Sequence, residues 1–505
     1  MEALSTFVFV GFMGAGKSTA ARAAAAALGV EPLDSDREVE RVLGESIESF
    51  FDREGEHAFR AREEEVVLGL LERPDARVIA LGGGALGSER VRDALRGHTV
   101  VHLEIDAEAA WRRASGRGRP LARDRGRFEQ LKQDREAIYE SVASAWLPPL
   151  PRDGVRRVLP ALTALEAAPA GTRLAWAAAT SGDYPVFFGR GLVGSDFFHP
   201  PDGRRFAVTD ENVAAVHTVA AEAQFAVAPG EEQKTLARAE EVLRFLAASG
   251  AARADVLVAV GGGVVGDLTG FTASVYQRGM RWVGIPTTLV AQVDSAYGGK
   301  TGVDLPEAKN YVGSYHHPAA VLVDPSLLET LPPEEAAAGY AEVVKTALIA
   351  GGPLWARVRE GGAVDDEVIW RCLRTKLAIV AEDERDSGRR QVLNLGHTVG
   401  HAIEAATGYG RYRHGEAVAI GLLAALRLSG RDALRAEVEG LLAARGLPAR
   451  FEGAAVDDVL QYLARDKKRA GDRVPLVLVE APGAVTPGHD VGADELRAAI
   501  EEVAG

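Results

Sequence analysis

Three groups of residues in this chain have the types and the spacing to do chemistry. The first is Gly11-Phe12-Met13-Gly14-Ala15-Gly16-Lys17-Ser18, followed by Thr19 and an alanine-rich run to Leu28. A glycine loop between a strand, Phe7 to Val10, and a helix turns backbone N–H groups toward a phosphate at the helix N-terminus. Gly14, Ala15, Gly16 and Thr19 would line it, Lys17 would reach the β- and γ-phosphates, and Ser18 would hold Mg²⁺, so a nucleotide such as ATP is implied. The second group, Gly261-Gly262-Gly263-Val264-Val265-Gly266-Asp267, follows the apolar run Val256 to Val260 and satisfies G-x-G-x-x-G, a pyrophosphate-binding turn. The acidic residue that such a turn usually has about 20 positions later is missing, because nothing acidic lies between Asp267 and Asp294. The third group is Glu342, His397 and His414. One carboxylate and two imidazoles suit Zn²⁺ or Co²⁺, and three protein ligands leave a coordination position for substrate. His401, four residues after His397, shares its helix face and could act on a substrate held there.

These residues need elements to position them. A chain of 505 residues exceeds one hydrophobic core, so two to four domains are expected. Residues 1–165 alternate short strands with helical stretches and read as an α/β P-loop domain, a parallel sheet with helices on both faces. The stretch 166–176, with Pro169 and Gly171, reads as a linker. Residues 177–326 read as a Rossmann-like α/β lobe, with strands at Phe206 to Thr209, Val256 to Val260 and Trp282 to Ile285, and 327–505 as an α-helical lobe. Within 1–165, Ser35 to Glu38 also fits a helix capping box.

An apolar fraction of 47% and a charged fraction of 26% are ordinary for a globular protein, and no uncharged apolar run is long enough to span a membrane. The net charge of −14 disfavours nucleic acid and anionic lipid, so an anionic small-molecule substrate must meet local basic clusters. The single cysteine, Cys372, makes no internal disulfide, and Met1 to Thr6 runs into a strand without a leader pattern; a cytoplasmic protein is expected.

Around the phosphate loop stand Asp34-Ser35-Asp36, Phe59-Arg60, Gly82-Gly83-Gly84 and Arg119-Pro120-Leu121. With the loop they resemble shikimate kinase over about the first 160 residues. The resemblance implies that Asp34 lies near Mg²⁺, that Asp36, Arg60, Gly83 and Arg135 bind shikimate, with Asp36 and Lys17 in catalytic roles, and that Arg119 belongs to a lid over ATP. The residue types fit: guanidinium forks suit a carboxylate and a carboxylate suits a reacting hydroxyl. Gluconate and adenylate kinases share the loop but lack the Asp36, Arg60 and glycine-triplet set.

The second half carries Pro286-Thr287-Thr288, Asp294 to Thr301, Lys309-Asn310, Glu342 to Lys345, Asn394 to His397, His401 and His414-Gly415-Glu416, a polar density that a plain structural strand pair would not need. The set resembles 3-dehydroquinate synthase across about residues 180–480. By that resemblance Asp210, Asn212, Glu231, Lys234, Gly263, Asp267, Thr287, Thr288, Lys309 and Asn310 bind NAD⁺, with Asp210 or Glu231 on the ribose. Arg278, Asp294, Lys300, Lys345, Lys376, Arg390, Asn394 and His401 hold or act on a sugar phosphate, 3-deoxy-D-arabino-heptulosonate 7-phosphate, and Lys467 or Lys468 reaches its carboxylate. A homodimer through this module is left open. The chain departs from the family at Asp386, where a glutamate is usual. Glycerol-dehydrogenase-like oxidation and related sugar-phosphate cyclases share this fold and metal. The two halves should act independently: Lys17→Ala should abolish shikimate phosphorylation and leave dehydroquinate formation within about twofold of wild type in separate assays.

Overall fold

The computed structural model describes residues 6–115, 122, 124–151, 153–195, 197–469 and 476–505, with the backbone alone for 465–469. Arg119 lies outside the described residues, as do the side chains of Lys467 and Lys468. By its contacts the chain forms two units, Met1–Ala177 with Pro185–Gly189, and Ala178–Tyr184 with Arg190–Gly505.

The first unit runs β1 (Phe7–Val10), α1 (Lys17–Leu28), β2 (Leu33–Asp34), α2 (Ser35–Leu43), α3 (Ile47–Leu71), β3 (Val78–Ala80), α4 (Glu89–Ala94), β4 (Thr99–Leu103), α5 (Ala107–Ala114), α6 (Arg125–Val142), β5 (Ala145–Leu147), α7 (Val155–Glu166), β6 (Arg173–Ala177) and β7 (Tyr184–Phe188). Strands β2, β3, β1, β4, β5 and β6 lie side by side, each pair parallel. Uninterrupted apolar strands such as Phe-Val-Phe-Val in β1, buried at all four positions, are what a sheet covered on both faces requires. The stretch 166–176 is therefore not all linker. Pro169 and Gly171 make the turn, but Leu174 to Ala177 are buried and Arg173–Ala177 extends the sheet beside β5.

The second unit continues with β8 (Arg205–Asp210), α8 (Glu211–Val216), β9 (Ala223–Val227), α9 (Leu236–Ala248), β10 (Val256–Gly261), α10 (Gly263–Val275), β11 (Arg281–Pro286), β12 (Lys300–Leu305), β13 (Ala308–Tyr315) and β14 (Ala320–Val323). Its parallel sheet has the order β14, β11, β10, β8, β9. The polar run from Lys300 onward does form a strand pair, the antiparallel hairpin β12–β13. Val303 anchors it in the core while Lys300, Lys309 and Asn310 stay on it as polar groups. A one-turn π-helix, Ala291–Ser295, carries Asp294, a distortion that often serves function.

Beyond residue 327 come α11 (Pro333–Ala350), α12 (Gly352–Arg359), α13 (Asp366–Glu382), α14 (His397–Ala406), α15 (His414–Leu428), α16 (Asp432–Ala443), α17 (Val456–Arg469) and α18 (Ala493–Glu502), interrupted by the hairpin β15 (Leu476–Ala481) and β16 (Ala484–His489). No described helix is long and apolar enough to cross a membrane.

Glycines set how closely α11, α14 and α15 approach. A Cβ at Gly415 would strike the Ala338 carbonyl, and one at Gly421 would strike the Gly396 carbonyl and lie 2.9 Å from the Gly400 nitrogen. The obstacles are backbone, which cannot swing away. Gly421→Ala should therefore lower the unfolding free energy by about 2 kcal/mol, read as a shift of the urea midpoint of the second unit. An unshifted midpoint would show that these backbones are not in such contact.

Candidate active sites

In the first unit the phosphate loop leaves β1 and reaches α1 through Gly14 (φ 86°) and Gly16 (φ 95°), a left-handed backbone that glycine adopts without strain. A Cβ on Gly14 would lie 3.0 Å from the Ala110 carbonyl oxygen. Gly16 caps α1 without a side chain, so the helix presents its first N–H groups to the loop. The Lys17 ammonium donates to the carbonyls of Gly11 (2.9 Å) and Phe12 (3.3 Å). Ser18 and Thr19 follow in the first turn.

The Gly82–Gly84 turn after β3 is where the other charged groups converge. A Cβ on Gly82 would strike Asp36 and lie 2.9 Å from Glu63 Oε1; one on Gly83 would lie 3.7 Å from Arg135 Nη1 and 3.8 Å from Lys17 Nζ; one on Gly84 would strike the Arg60 guanidinium. The Gly83 carbonyl accepts from Arg135 (3.0 Å) and Tyr139 (2.7 Å). Asp36, Arg60, Gly83, Arg135 and Lys17 thus surround one turn, a cradle closed to larger residues. Asp34 instead caps α2, accepting from the backbone N–H of Asp36 (3.1 Å) and Arg37 (3.5 Å). The helix start lies one residue before the Ser35 capping box read from sequence, and Ser35 Oγ accepts from Gly82 N–H at 2.7 Å. Sequence reading missed Glu63. It is 3% exposed and pairs with Arg60; burial pushes its carboxyl up, while Glu63 and Glu56 outweigh the effect of burial on Arg60 and hold that guanidinium charged. A buried acid in a charged helix has no distinctive sequence spacing.

In the second unit, α11 supplies Glu342 and Lys345, α14 supplies His397 and His401, and α15 begins at His414. Glu342 Oε1 lies 3.3 Å from His397 Nε2 and 3.4 Å from His414 Nε2. Glu342 has no exposed surface, and His397 Nδ1 faces the Leu395 carbonyl at 3.2 Å, which turns Nε2 inward. A buried carboxylate facing two imidazole nitrogens is a donor set that fits a divalent ion such as Zn²⁺. His401 stands beside both histidines, with ring centroids 5.4 and 5.8 Å away. The surrounding protein, with His397 and His414 nearby, lowers its pKa below the usual histidine value although the side chain itself is exposed, which favours a neutral imidazole at working pH.

Next to the triad lies a buried charge cluster. Lys345 pairs with Glu342 and is 3.6 Å from Asp294, and Lys376 is 2.5 Å from Asp294. Burial alone would raise the Asp294 pKa; Lys345 and Lys376 reverse that and hold it at about 2. Lys300 pairs with Asp386, so the shorter acid still reaches a lysine, from a backbone at φ 61°. Arg390 is buried, and its guanidinium donates to the carbonyls of Glu384 (2.6 Å) and Gly298 (3.3 Å), so it braces the wall of the cluster. Asn394 is exposed at the end of a 3-10 turn. Arg278 is exposed at φ 69° in the turn after α10, and no described contact joins it to the cluster.

At the glycine loop, α10 begins with no side-chain cap. Cβ atoms on Gly262 and Gly263 would meet Thr288 Cγ2 at 2.9 Å and Ser295 Oγ at 3.1 Å, so the cradle admits a ligand only because side chains are missing. Thr287 Oγ1 and Ser295 Oγ are buried there without partners, which fits a polar ligand over the loop. Val264, Val265 and Gly266 form the first turn of the helix. Lys234 bridges Asp267 (2.7 Å) and Glu231 (3.6 Å), and Lys309 lies 4.0 Å from Glu231 and 3.1 Å from Glu404. Asp210 caps α8 through the Val213 N–H at 3.0 Å, Asn212 is exposed, and the Asn310 N–H donates to Asp304. Glu404 and Asp304 were not legible in sequence.

These two centres, a phosphate loop facing a guanidinium-lined turn and a glycine loop joined to a carboxylate–imidazole triad, define an enzyme of two separate activities. A shikimate kinase family profile matches residues 13–148, and profiles of the 3-dehydroquinate synthase N-terminal and C-terminal domains match 224–338 and 339–469. A 3-dehydroquinate synthase from Brucella ovis is 43% identical over 341 residues, covering 61% of this chain and 90% of that protein. Among solved structures, a 2-epi-5-epi-valiolone synthase from Streptomyces hygroscopicus with NAD⁺ and Zn²⁺ bound is 26% identical with a TM-score of 0.59, over 65% of this chain and 98% of that one. A 2-deoxy-scyllo-inosose synthase complexed with carbaglucose-6-phosphate, NAD⁺ and Co²⁺ is 25% identical with a TM-score of 0.58, over 65% of this chain and 100% of that one. The chain belongs to the 3-dehydroquinate synthase family and carries a shikimate kinase ahead of it; it is a bifunctional shikimate-pathway enzyme.

Removing one anion from the buried cluster tests its energetics. Asp294→Asn leaves Lys376 without its partner and should lower the unfolding free energy at pH 7 by about 3 kcal/mol. Lys345 and Lys376 hold the folded carboxyl at about 2, below the value of ~4 for an unfolded aspartate. Its contribution is thus complete above the unfolded value and is lost as pH falls through the folded one, so the wild-type-to-variant gap in urea titrations should narrow at pH 3.

Proposed function

We propose that the kinase centre binds ATP with its phosphates on the Gly14-to-Thr19 loop and Lys17, and shikimate on Arg60, Arg135 and the Gly82–Gly84 turn. Asp36 would accept the proton of the hydroxyl that attacks the γ-phosphate, since a carboxylate held at the acceptor is the expected base. Mg²⁺, bound by Ser18 and positioned by Asp34, would spread the charge that develops on the phosphate oxygens. Arg119 would close over the nucleotide and exclude water. The supporting observation is that Lys17, Asp36, Arg60 and Arg135 meet at one glycine turn.

For the second centre we propose that NAD⁺ lies over Gly263 to Asp267, held by Thr287, Thr288, Lys309 and Asn310, with Asp210, Asn212, Glu231 and Lys234 at its ribose side. Glu342, His397 and His414 would hold Zn²⁺ or Co²⁺, and the NAD⁺ with Zn²⁺ or Co²⁺ in the related cyclases supports this. When bound, the metal polarises the substrate hydroxyl and NAD⁺ takes and returns its hydride. The chain's own groups do the rest. Lys345, Lys376 and Lys300 hold the anionic groups of 3-deoxy-D-arabino-heptulosonate 7-phosphate, joined by Lys467 or Lys468 from α17 and by Arg278. His401, neutral at working pH, takes and gives protons beside the metal, with Asn394 at the rim. Arg390 would join these groups at the substrate while keeping the Gly298 turn in place. The enzyme would work in the cytoplasm on small anionic molecules. The observation that carries the reading is the approach of two imidazole nitrogens to one buried carboxylate oxygen.

The two metals should separate by ligand chemistry. Dipicolinate with excess Mg²⁺ should stop dehydroquinate formation and spare shikimate phosphorylation, because Mg²⁺ takes oxygen ligands and refills from solution while the triad favours Zn²⁺. His414→Ala should mimic the chelator, with synthase activity reduced at least about 100-fold. Full synthase activity in His414→Ala with one metal per chain would overturn the triad.

A further inference from the structure

Glu404 has no part in the roles assigned above, yet it is 2% exposed and touches two of the groups that have one. It lies on α14, seven residues after His397 and three after His401. Its Oε1 receives the Lys309 ammonium at 3.1 Å. Its Oε2 is buried without a hydrogen-bond partner and lies 3.6 Å from His414 Nδ1. The opposite nitrogen of the same ring, Nε2, is the one that faces Glu342. His414 is thus held between two carboxylates, one per nitrogen. His397 differs, because a backbone carbonyl fixes its outer nitrogen.

A histidine that ligates a metal is oriented by whatever accepts its other N–H. For His414 the group that stands nearest to that nitrogen, at 3.6 Å, is a side chain that also anchors a lysine at the dinucleotide side, where Lys309 stands 4.0 Å from Glu231. We propose that Glu404 is a positioning residue that fixes the Nδ1–H form and the orientation of His414 with one oxygen while anchoring Lys309 with the other, so that metal and dinucleotide binding are coupled through one carboxylate. The proposal rests on the triad reading of Glu342, His397 and His414. Coupling of this kind is reciprocal: bound NAD⁺ strengthens Zn²⁺ binding by the factor by which Zn²⁺ strengthens NAD⁺ binding.

The experiment uses the full chain. Zn²⁺ affinity is measured by competition with a chromophoric chelator, with and without saturating NAD⁺, and NAD⁺ affinity by calorimetry with and without Zn²⁺, in wild type, Glu404→Gln, Glu404→Asp, Lys309→Ala and His414→Ala. The urea midpoint of the second unit reports its folding in each variant. Glu404→Gln should weaken Zn²⁺ about 10- to 100-fold and bring the NAD⁺-dependent ratio of Zn²⁺ affinities to about 1. Glu404→Asp, which keeps the charge, should recover part of both. Lys309→Ala should abolish the coupling while changing Zn²⁺ affinity itself much less than Glu404→Gln does, and it carries the test if Glu404→Gln does not fold. Loss of Zn²⁺ in His414→Ala together with wild-type Zn²⁺ affinity in Glu404→Gln, or undiminished coupling in Lys309→Ala, would overturn the proposal. Wild-type Zn²⁺ affinity in His414→Ala would instead overturn the triad beneath it.

Discussion

The second unit depends on a single buried carboxylate. Glu342 has no exposed surface, and an ionised acid cannot be left so without compensation; several kilocalories per mole would be lost. Lys345 supplies the first partner, Asp294 and Lys376 extend the pairing, and the two imidazoles complete the ring of contacts. Within the cluster two anions and two cations balance. A dication held by Glu342, His397 and His414 would therefore leave the site net positive, which is how a chain of net charge −14 can hold a substrate carrying phosphate and carboxylate. Water is excluded from these charges, so each interaction is stronger than it would be at the surface.

The surrounding elements serve that geometry. Glycines at 396, 400, 415 and 421 let α11, α14 and α15 approach at backbone contact, which brings three ligands from three helices to one point. The π-turn at Ala291–Ser295 drops Asp294 between two lysines. The hairpin β12–β13 reaches the same region with Lys300 and Lys309 at its two strands. In the kinase unit the same economy of space appears at Gly82–Gly84, where the missing side chains let two guanidiniums and a carboxylate close on one turn.

Much of this was legible in sequence because phosphate loops and metal triads need fixed residue types at fixed spacings. Gly11 to Ser18 and the set Glu342, His397 and His414 are of that kind, and the parallel strands announced themselves as continuous apolar runs. What escaped were groups whose role comes from tertiary contact alone. Glu63 stands in a highly charged helix and Glu404 is the lone acid of α14, and neither has a spacing that marks it; only the fold shows that each is buried against a cation. Arg390 read as a substrate ligand, and the fold adds that its guanidinium also meets the backbone carbonyls of Glu384 and Gly298, contacts that no spacing announces. The strand Arg173–Ala177 was hidden behind a Pro- and Gly-containing turn, and the hairpin behind polar residues that a strand can carry when one face is open.

The central claim is that one carboxylate and two imidazoles hold a catalytic metal in the second unit while His401 stands outside the coordination shell. Zinc K-edge X-ray absorption on the purified full chain loaded with one equivalent of Zn²⁺ tests it most directly. The account predicts two imidazole nitrogens at about 2.0–2.1 Å with the remaining shell made of oxygen donors, and the loss of one imidazole in His414→Ala with no change in His401→Ala. A shell of three imidazoles, or one that loses an imidazole in His401→Ala, would contradict it.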